Sequence, residues 1–213
     1  MSLVKHTIID FIEAVDSNKP TPGGGSVSAL VATLGTALSG MLGKLTIHKK
    51  AFRNRNIDVQ KQFHDTLAKI HSSKEILLSL VDKDTEAFNE IMNAFKMSKE
   101  TETDKLARLH AIEQATIEAI EVPYQVAEES LNVLKQLDTL IQYGNINAIS
   151  DVGVGILLLS SGIEGALFNI KINLSMLKDN EKRSFYENEV ERVQTEQQEL
   201  KERLIPKIEA KIG

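Results

Sequence analysis

Residues 63–95, FHDTLAKIHSSKEILLSLVDKDTEAFNEIMNAF, decide the fold class. Phe63, Leu67, Ile70, Ile76, Leu77, Leu80, Val81, Phe88, Ile91, Met92 and Phe95 recur mostly at steps of three and four, the period of a helix with one buried side. From Lys44 to Val122 there is neither glycine nor proline, so the commonest turn and breaker residues are absent. Alternation of β-branched residues is not sustained anywhere, and no Asn-Gly or Asp-Gly hairpin signal occurs. The chain reads as all-α, a helical bundle with long central helices. Helices are expected near 2–16, 26–50, 56–97, 103–121, 124–142, 147–178 and 183–211, with Pro123 either starting a helix or kinking a longer one.

The 213 residues carry 42% hydrophobic and 26% charged side chains, which suits one globular core and a single domain over 1–213. With no cysteine there is no disulfide framework, thiolate metal site or cysteine nucleophile. A net charge of −5 argues against general nucleic-acid binding. No apolar run at the N-terminus has the length of a signal peptide, and residues 26–43, though uncharged, hold too many Gly, Ser and Thr for a convincing membrane span. A cytoplasmic location is expected. Met1-Ser2-Leu3 has the look of a cloning remnant.

The twelve glycines cluster: six at 23–43, five at 144–165, and one at 213. On a helix over 26–50, Val27, Leu30, Val31, Leu34, Leu38, Met41, Leu42 and Leu45 share one side. Ser28, Ala32, Gly35, Thr36, Ser39, Gly40 and Gly43 share the other. The bulky side is expected in the core. The bare side suits close approach of another helix, in this chain or a second copy, or a groove for a flat ligand. Ahead of this helix, Gly23-Gly24-Gly25-Ser26 offers backbone N–H groups that a carboxylate or phosphate could use, or simply a turn. After it, Lys44, Lys49, Lys50, Arg53 and Arg55 form a basic run, read either as a solvated face or as an attraction for an anionic small molecule.

The second cluster opens another apolar helix, in which Asp151, Asn169 and Asn173 fall within about 40° of one another on the wheel. Helix-dipole and packing roles suffice for each alone; three together make a site as good a reading as packing. Glu164 and Lys171 are expected to form a structural ion pair. Asp84 shares a stripe with Phe88 and Phe95, so partial desolvation could raise its pKa toward acid–base use. His64 and His71 share a face but stand about 10 Å apart along a helix, too far to chelate one ion. No zincin or nucleophile-elbow motif is present.

Taken together, Pro20-Thr21-Pro22-Gly23-Gly24-Gly25-Ser26-Val27-Ser28-Ala29-Leu30, Asp84-Thr85-Glu86-Ala87-Phe88, Asn145-Ile146-Asn147-Ala148-Ile149-Ser150-Asp151-Val152-Gly153-Val154 and Asn169-Ile170-Lys171-Ile172-Asn173-Leu174 resemble the cyclodeaminase/cyclohydrolase family over nearly the whole chain. The resemblance implies a helical homodimer acting on tetrahydrofolates, with no metal or redox cofactor. The implied reaction is closure of 5-formimidoyltetrahydrofolate to 5,10-methenyltetrahydrofolate with loss of ammonia; the alternative is methenyltetrahydrofolate cyclohydrolase. It further implies Asp84 or Asp151 as the proton-transfer carboxylate. Asn147, Ser150, Asn169 and Asn173 would bond the pterin or orient the acid, and Gly23, Gly24, Gly25 and Ser26 would supply N–H groups. Lys44, Lys49 and Arg53 match no family motif and are assigned to the glutamate tail on charge alone. The absence of a formiminotransferase half favours keeping the cyclohydrolase in view. A helical association module without catalysis is the rival reading, and it predicts no folate binding.

Overall fold

The computed structural model describes residues 2–213. Its helices are α1 (Ile8–Val15), α2 (Gly24–Ile47), α3 (Lys50–Arg53), α4 (Ile57–Lys96), α5 (Glu102–Tyr143), α6 (Ile149–Leu174) and α7 (Asn180–Ile212). Single 3₁₀ turns precede α1 at Leu3–Lys5 and α6 at Ile146–Ala148. No strand occurs among the described residues.

Helix starts follow from local chemistry. Thr7, Asn56, Thr101 and Asp179 each accept a backbone N–H of the first turn through a side-chain oxygen. At Thr101 the reciprocal bond from Asp104 completes a capping box. The Gly- and Pro-free stretch contains all of α4, 40 residues or about 60 Å long, and the chain turns back at 97–101 so that the 42-residue α5 packs against it.

One expected break does not exist. The stretches 103–121 and 124–142 are a single helix with Pro123 buried inside it. Proline removes the N–H that would bond the carbonyl of Ala119. Asn173 Nδ2, from α6, donates to that carbonyl at 2.7 Å and fills the gap.

α2 and α6 run antiparallel in the middle of the bundle; the bare side of α2 makes the close helix approach expected of it, while the bulky side is core only in part, with Leu42 buried and Val27, Leu30, Val31 and Leu38 half-buried. Ser28, Ala32, Gly35, Thr36, Ser39 and Gly43 are buried, while Leu34, Met41 and Leu45 are exposed. The bare side is core because it meets neighbours at backbone range. A Cβ on Gly35 would lie 2.7 Å from the Gly155 carbonyl oxygen, and one on Gly155 would lie 2.9 Å from that of Gly35. The hydroxyls of Ser28, Thr33, Thr36, Ser39 and Thr46 donate to carbonyls one turn back, so a polar seam is buried without orphaned groups. Both α2 and residues 146–174 are long and apolar enough to cross a membrane by length and composition; 56% of each apolar window is buried within this fold.

Phe63, Ile70, Leu77, Leu80, Leu131, Leu134, Leu137, Ile156, Leu159 and Ile163 fill the centre. α7 closes the bundle with ion pairs to α5: Arg192 reaches Glu128, and Asp138 holds both Arg203 and Lys207. Ser2 and Leu3 are tied into the fold. Asp82 accepts the Ser2 hydroxyl at 2.6 Å and the Leu3 N–H at 2.5 Å, and the Leu3 side chain is buried.

Candidate active site

The start of α2 is where chemistry-bearing groups converge. Its N-cap is Gly23, which has no side chain to cap with. The cap comes instead from α4: Asp84 Oδ2 accepts the Ser26 N–H at 2.8 Å and the Ser26 hydroxyl at 2.9 Å. Thr85 Oγ1 stands 3.3 Å from the same hydroxyl. Thr85 is a residue the sequence reading quoted without assigning it a role; its only signal there was adjacency to Asp84. Gly25 is required by contact, since a Cβ at that position would lie 1.9 Å from Asp84 Oδ1. A Cβ on Gly24 would lie 3.5 Å from Asn169 Nδ2, so the end of α6 faces the same helix start. That amide donates to the Gly165 carbonyl at 2.8 Å, leaving its oxygen uncommitted to the protein.

Burial raises the pKa of the Asp84 carboxyl above the ordinary aspartate value of 3.8, and the two Ser26 bonds oppose the shift without cancelling it. The expected environment is thus present, though its cause differs. Phe88 is half-buried and Phe95 exposed, and the desolvation comes from packing against the start of α2. α1, α2 and α4 border a mostly apolar cleft of about 600 Å³, with Val27, Leu30, Leu78 and Val81 on its walls; Asp84 does not line it.

The second half of the expected site lies elsewhere. Asp151 and Asn169 share a side of α6, but 18 residues separate them, about 27 Å along the axis. Asn147, Ser150 and Asp151 sit at the α6 start, next to the end of α2. There Asn145 donates its N–H to Thr46 Oγ1 at 2.9 Å and accepts the Lys49 ammonium at 2.8 Å. The Lys49–Asn145 bond joins the basic run after α2 to the motif that opens α6, a pairing that sequence distance hides. Lys44 lies on the same end of α2, in a groove with His64, His71 and Lys74, and Arg53 is exposed on α3. Asn173 is committed to the Ala119 carbonyl. The expected Glu164–Lys171 ion pair does not form: both side chains are exposed on α6 and neither is within salt-bridge distance of the other. Within one chain, then, Gly23, Gly24, Gly25, Ser26, Asp84 and Asn169 come together, and Lys44, Lys49, Arg53, Asn147, Ser150 and Asp151 gather at the opposite end.

The family model described as formiminotransferase-cyclodeaminase matches residues 7–192. The chain belongs to the formiminotransferase-cyclodeaminase family. Methenyltetrahydrofolate cyclohydrolase of Methylorubrum extorquens is 32% identical over 210 residues, covering 97% of this chain and 98% of that protein. Formimidoyltransferase-cyclodeaminase of Rattus norvegicus is 33% identical over 178 residues; this covers 84% of this chain but 32% of the rat protein, so the chain corresponds to about a third of that enzyme. The solved formiminotetrahydrofolate cyclodeaminase of Thermotoga maritima superposes with a TM-score of 0.85 at 26% identity, over 98% of each chain. As a member of the formiminotransferase-cyclodeaminase family, the chain carries its triple glycine and its Asp84 segment on two different helices, joined by the Ser26 bonds.

Proposed function

We propose that the chain closes 5-formimidoyltetrahydrofolate to 5,10-methenyltetrahydrofolate and releases ammonia. N10 attacks the formimidoyl carbon attached to N5, the N10 proton is removed, and the former imine nitrogen leaves as ammonia. The cationic amidinium of the substrate becomes the cationic methenyl bridge. The carbon keeps its oxidation level, so proton transfer is the only task the chemistry sets, and we expect no metal or redox cofactor. The observation that carries this reading is the desolvated Asp84 carboxyl, held by Ser26 at the same helix start that Asn169 approaches at Gly24. An ionised Asp84 would take the N10 proton and balance the amidinium charge.

The second reading is hydrolysis of the methenyl bridge to 10-formyltetrahydrofolate, with water in place of ammonia at the same tetrahedral carbon. It is favoured by the near full-length match to a methenyltetrahydrofolate cyclohydrolase. Following methenyltetrahydrofolate absorbance from both directions separates the two. Asp84→Asn is expected to lower the rate by about 10²–10⁴-fold, the usual contribution of a positioned proton-transfer group. A thermal-shift titration with folinic acid tests the class as a whole, since a native-state ligand raises the midpoint. No shift, together with no turnover in either direction, would leave the non-catalytic association module standing.

We also expect a homodimer and a cytoplasmic setting. The dimer reading is supported by the outward side of α2 and α6, where Leu34, Leu157, Phe168 and Ile172 are 51%, 49%, 69% and 68% exposed.

A further inference from the structure

We infer that Thr85 positions the proton-transfer carboxylate by acting through Ser26. Its hydroxyl keeps the Ser26 proton on Asp84 Oδ2, which leaves Oδ1 to take the substrate proton. The inference deepens the proposed folate chemistry and rests on it.

The two oxygens of Asp84 have different surroundings. Oδ2 accepts both the Ser26 N–H at 2.8 Å and the Ser26 hydroxyl at 2.9 Å. Oδ1 accepts no hydrogen bond from the described residues and lies over Gly25, in space that a Cβ there would fill. One oxygen is anchored and the other is open to a substrate proton. The anchoring depends on a hydroxyl that rotates and can give its proton to another acceptor. Ser26 is fully buried, so the groups packed around it decide where that proton points.

Thr85 makes that decision. It follows Asp84 directly on α4, about 100° further round, so the two side chains flank Ser26 from neighbouring sides. Thr85 Oγ1 stands 3.3 Å from Ser26 Oγ, long for a hydroxyl pair, as site hydrogen bonds often are before substrate binds. Five threonines of these helices, Thr33, Thr36, Thr46, Thr116 and Thr195, turn their hydroxyls back on a carbonyl one turn earlier. Thr85 makes no such bond, and Ser26 is its one side-chain partner among the described residues. When Thr85 donates to Ser26 Oγ, the Ser26 proton is directed to Asp84, and each donor strengthens the next. In the reverse sense Ser26 would donate to Thr85, and Asp84 would lose a bond. Burial already pushes this carboxyl toward its protonated form, and the two Ser26 bonds are what oppose it. Charged neighbours do not share that task. Asp82 is engaged by Ser2 and Leu3, Lys83 and Glu86 are exposed, residues 23–27 carry no charge, and Glu164 and Lys171 are exposed on α6.

The test compares pH–rate profiles of wild type, Thr85→Val and Thr85→Ser, followed by methenyltetrahydrofolate absorbance. Thr85→Val keeps the shape of the side chain and removes the hydroxyl; Thr85→Ala is carried beside it as a second hydroxyl-free variant. In both, kcat should fall by about 3–10-fold with KM unchanged, the scale of one hydrogen bond. The acid limb of kcat should move up by about half to one pH unit, because the carboxylate has lost support. Thr85→Ser should restore both. In a Ser26→Ala background the hydroxyl-free variants should add nothing, since the route to Asp84 is gone. A wild-type limb in the hydroxyl-free variants, or a further shift of the same size in the Ser26→Ala background, overturns the inference. Equal losses in Thr85→Val and Thr85→Ser with an unmoved limb mean packing alone and overturn it too. A second arm needs no turnover. Carbon-13 NMR titrates the Asp84 carboxyl, identified by its absence in Asp84→Asn, and its midpoint should rise in Thr85→Val and return in Thr85→Ser. If wild type turns over no folate but this rise is found, the folate reading fails while the link from Thr85 to Asp84 stands. Without the rise, that link falls whatever the turnover.

Discussion

Asn173 donates its side-chain amide to the Ala119 carbonyl at 2.7 Å, replacing the bond that Pro123 cannot make. The two anomalies, an asparagine in an apolar helix and a proline in the middle of another, explain each other. Asn173→Ala should destabilise the chain by about 1–3 kcal/mol by orphaning a buried carbonyl. Pro123→Ala restores an N–H to that carbonyl, and in its background the Asn173→Ala cost should largely vanish. A double-mutant cycle by urea unfolding measures the coupling; additive costs would contradict the pairing.

Gly25→Ala should displace the catalytic candidate without removing it. The added Cβ would stand 1.9 Å from Asp84 Oδ1, so the carboxyl must rotate away from Ser26. Turnover is expected to fall at least about 10²-fold, in the range of losing the group itself. The melting temperature should drop as well, since overpacking a tight contact costs about 1–3 kcal/mol. A Gly25→Ala enzyme of normal rate would remove Asp84 from the chemistry.

Stability and pH should be linked through Asp84 with a definite sign. Its pKa is raised on folding, above 3.8, chiefly by desolvation. The folded chain therefore keeps a proton at pH values where the unfolded chain has released it, and stability contributed by this group falls as pH rises through that window. Asp84→Asn removes the dependence. Its melting temperature should exceed that of wild type at neutral pH, and the difference should close as pH falls to about the unfolded aspartate value. Calorimetry across that range checks it. The same shift places the acid limb of the rate profile above pH 3.8.

Two glycines of α2 should respond to alanine in opposite directions. At Gly35 the new Cβ would meet the Gly155 carbonyl oxygen at 2.7 Å, backbone that moves only if α2 and α6 separate. A loss of about 1–3 kcal/mol is expected there. At Gly40 the nearest atom is Ile70 Cγ2 at 3.7 Å, an ordinary contact. Alanine there should stabilise by up to about 1 kcal/mol through helix propensity. Paired denaturation curves of the two variants suffice, and a gain at Gly35 would refute the seam.

Most of the helices are legible in the chain because turns have a chemistry of their own: Asn56, Thr101 and Asp179 mark their starts openly. The sidedness of α2 is not. The habit of placing leucines inward fails where a helix is pressed between two others at backbone range, since only Gly, Ala, Ser and Thr fit there and Leu34 and Leu45 must turn outward. Pro123 misleads for a similar reason, its compensation lying 50 residues away at Asn173. The residues around Asp84 are legible by type, and the bonds from Ser26 tie them together. What linear reading misses is direction. Two motifs on one antiparallel helix pair are each other's neighbours in sequence logic and stand at opposite ends in space.

The seam between α2 and α6 also acts as a ruler. Gly35 against Gly155, Gly162 against Ala32 and Gly165 against Ser28 form a series of notches that admits one register. Sliding α2 by a turn would bring Ala32 or Ser39 to the place of Gly35, where even a Cβ would lie 2.7 Å from the Gly155 carbonyl oxygen. The span between the two motif-bearing ends is thereby written into the helices rather than into their connections. Insertions near 97–101 or 175–179 should leave that span untouched, whereas a single residue added inside α2 would rotate every later notch out of place.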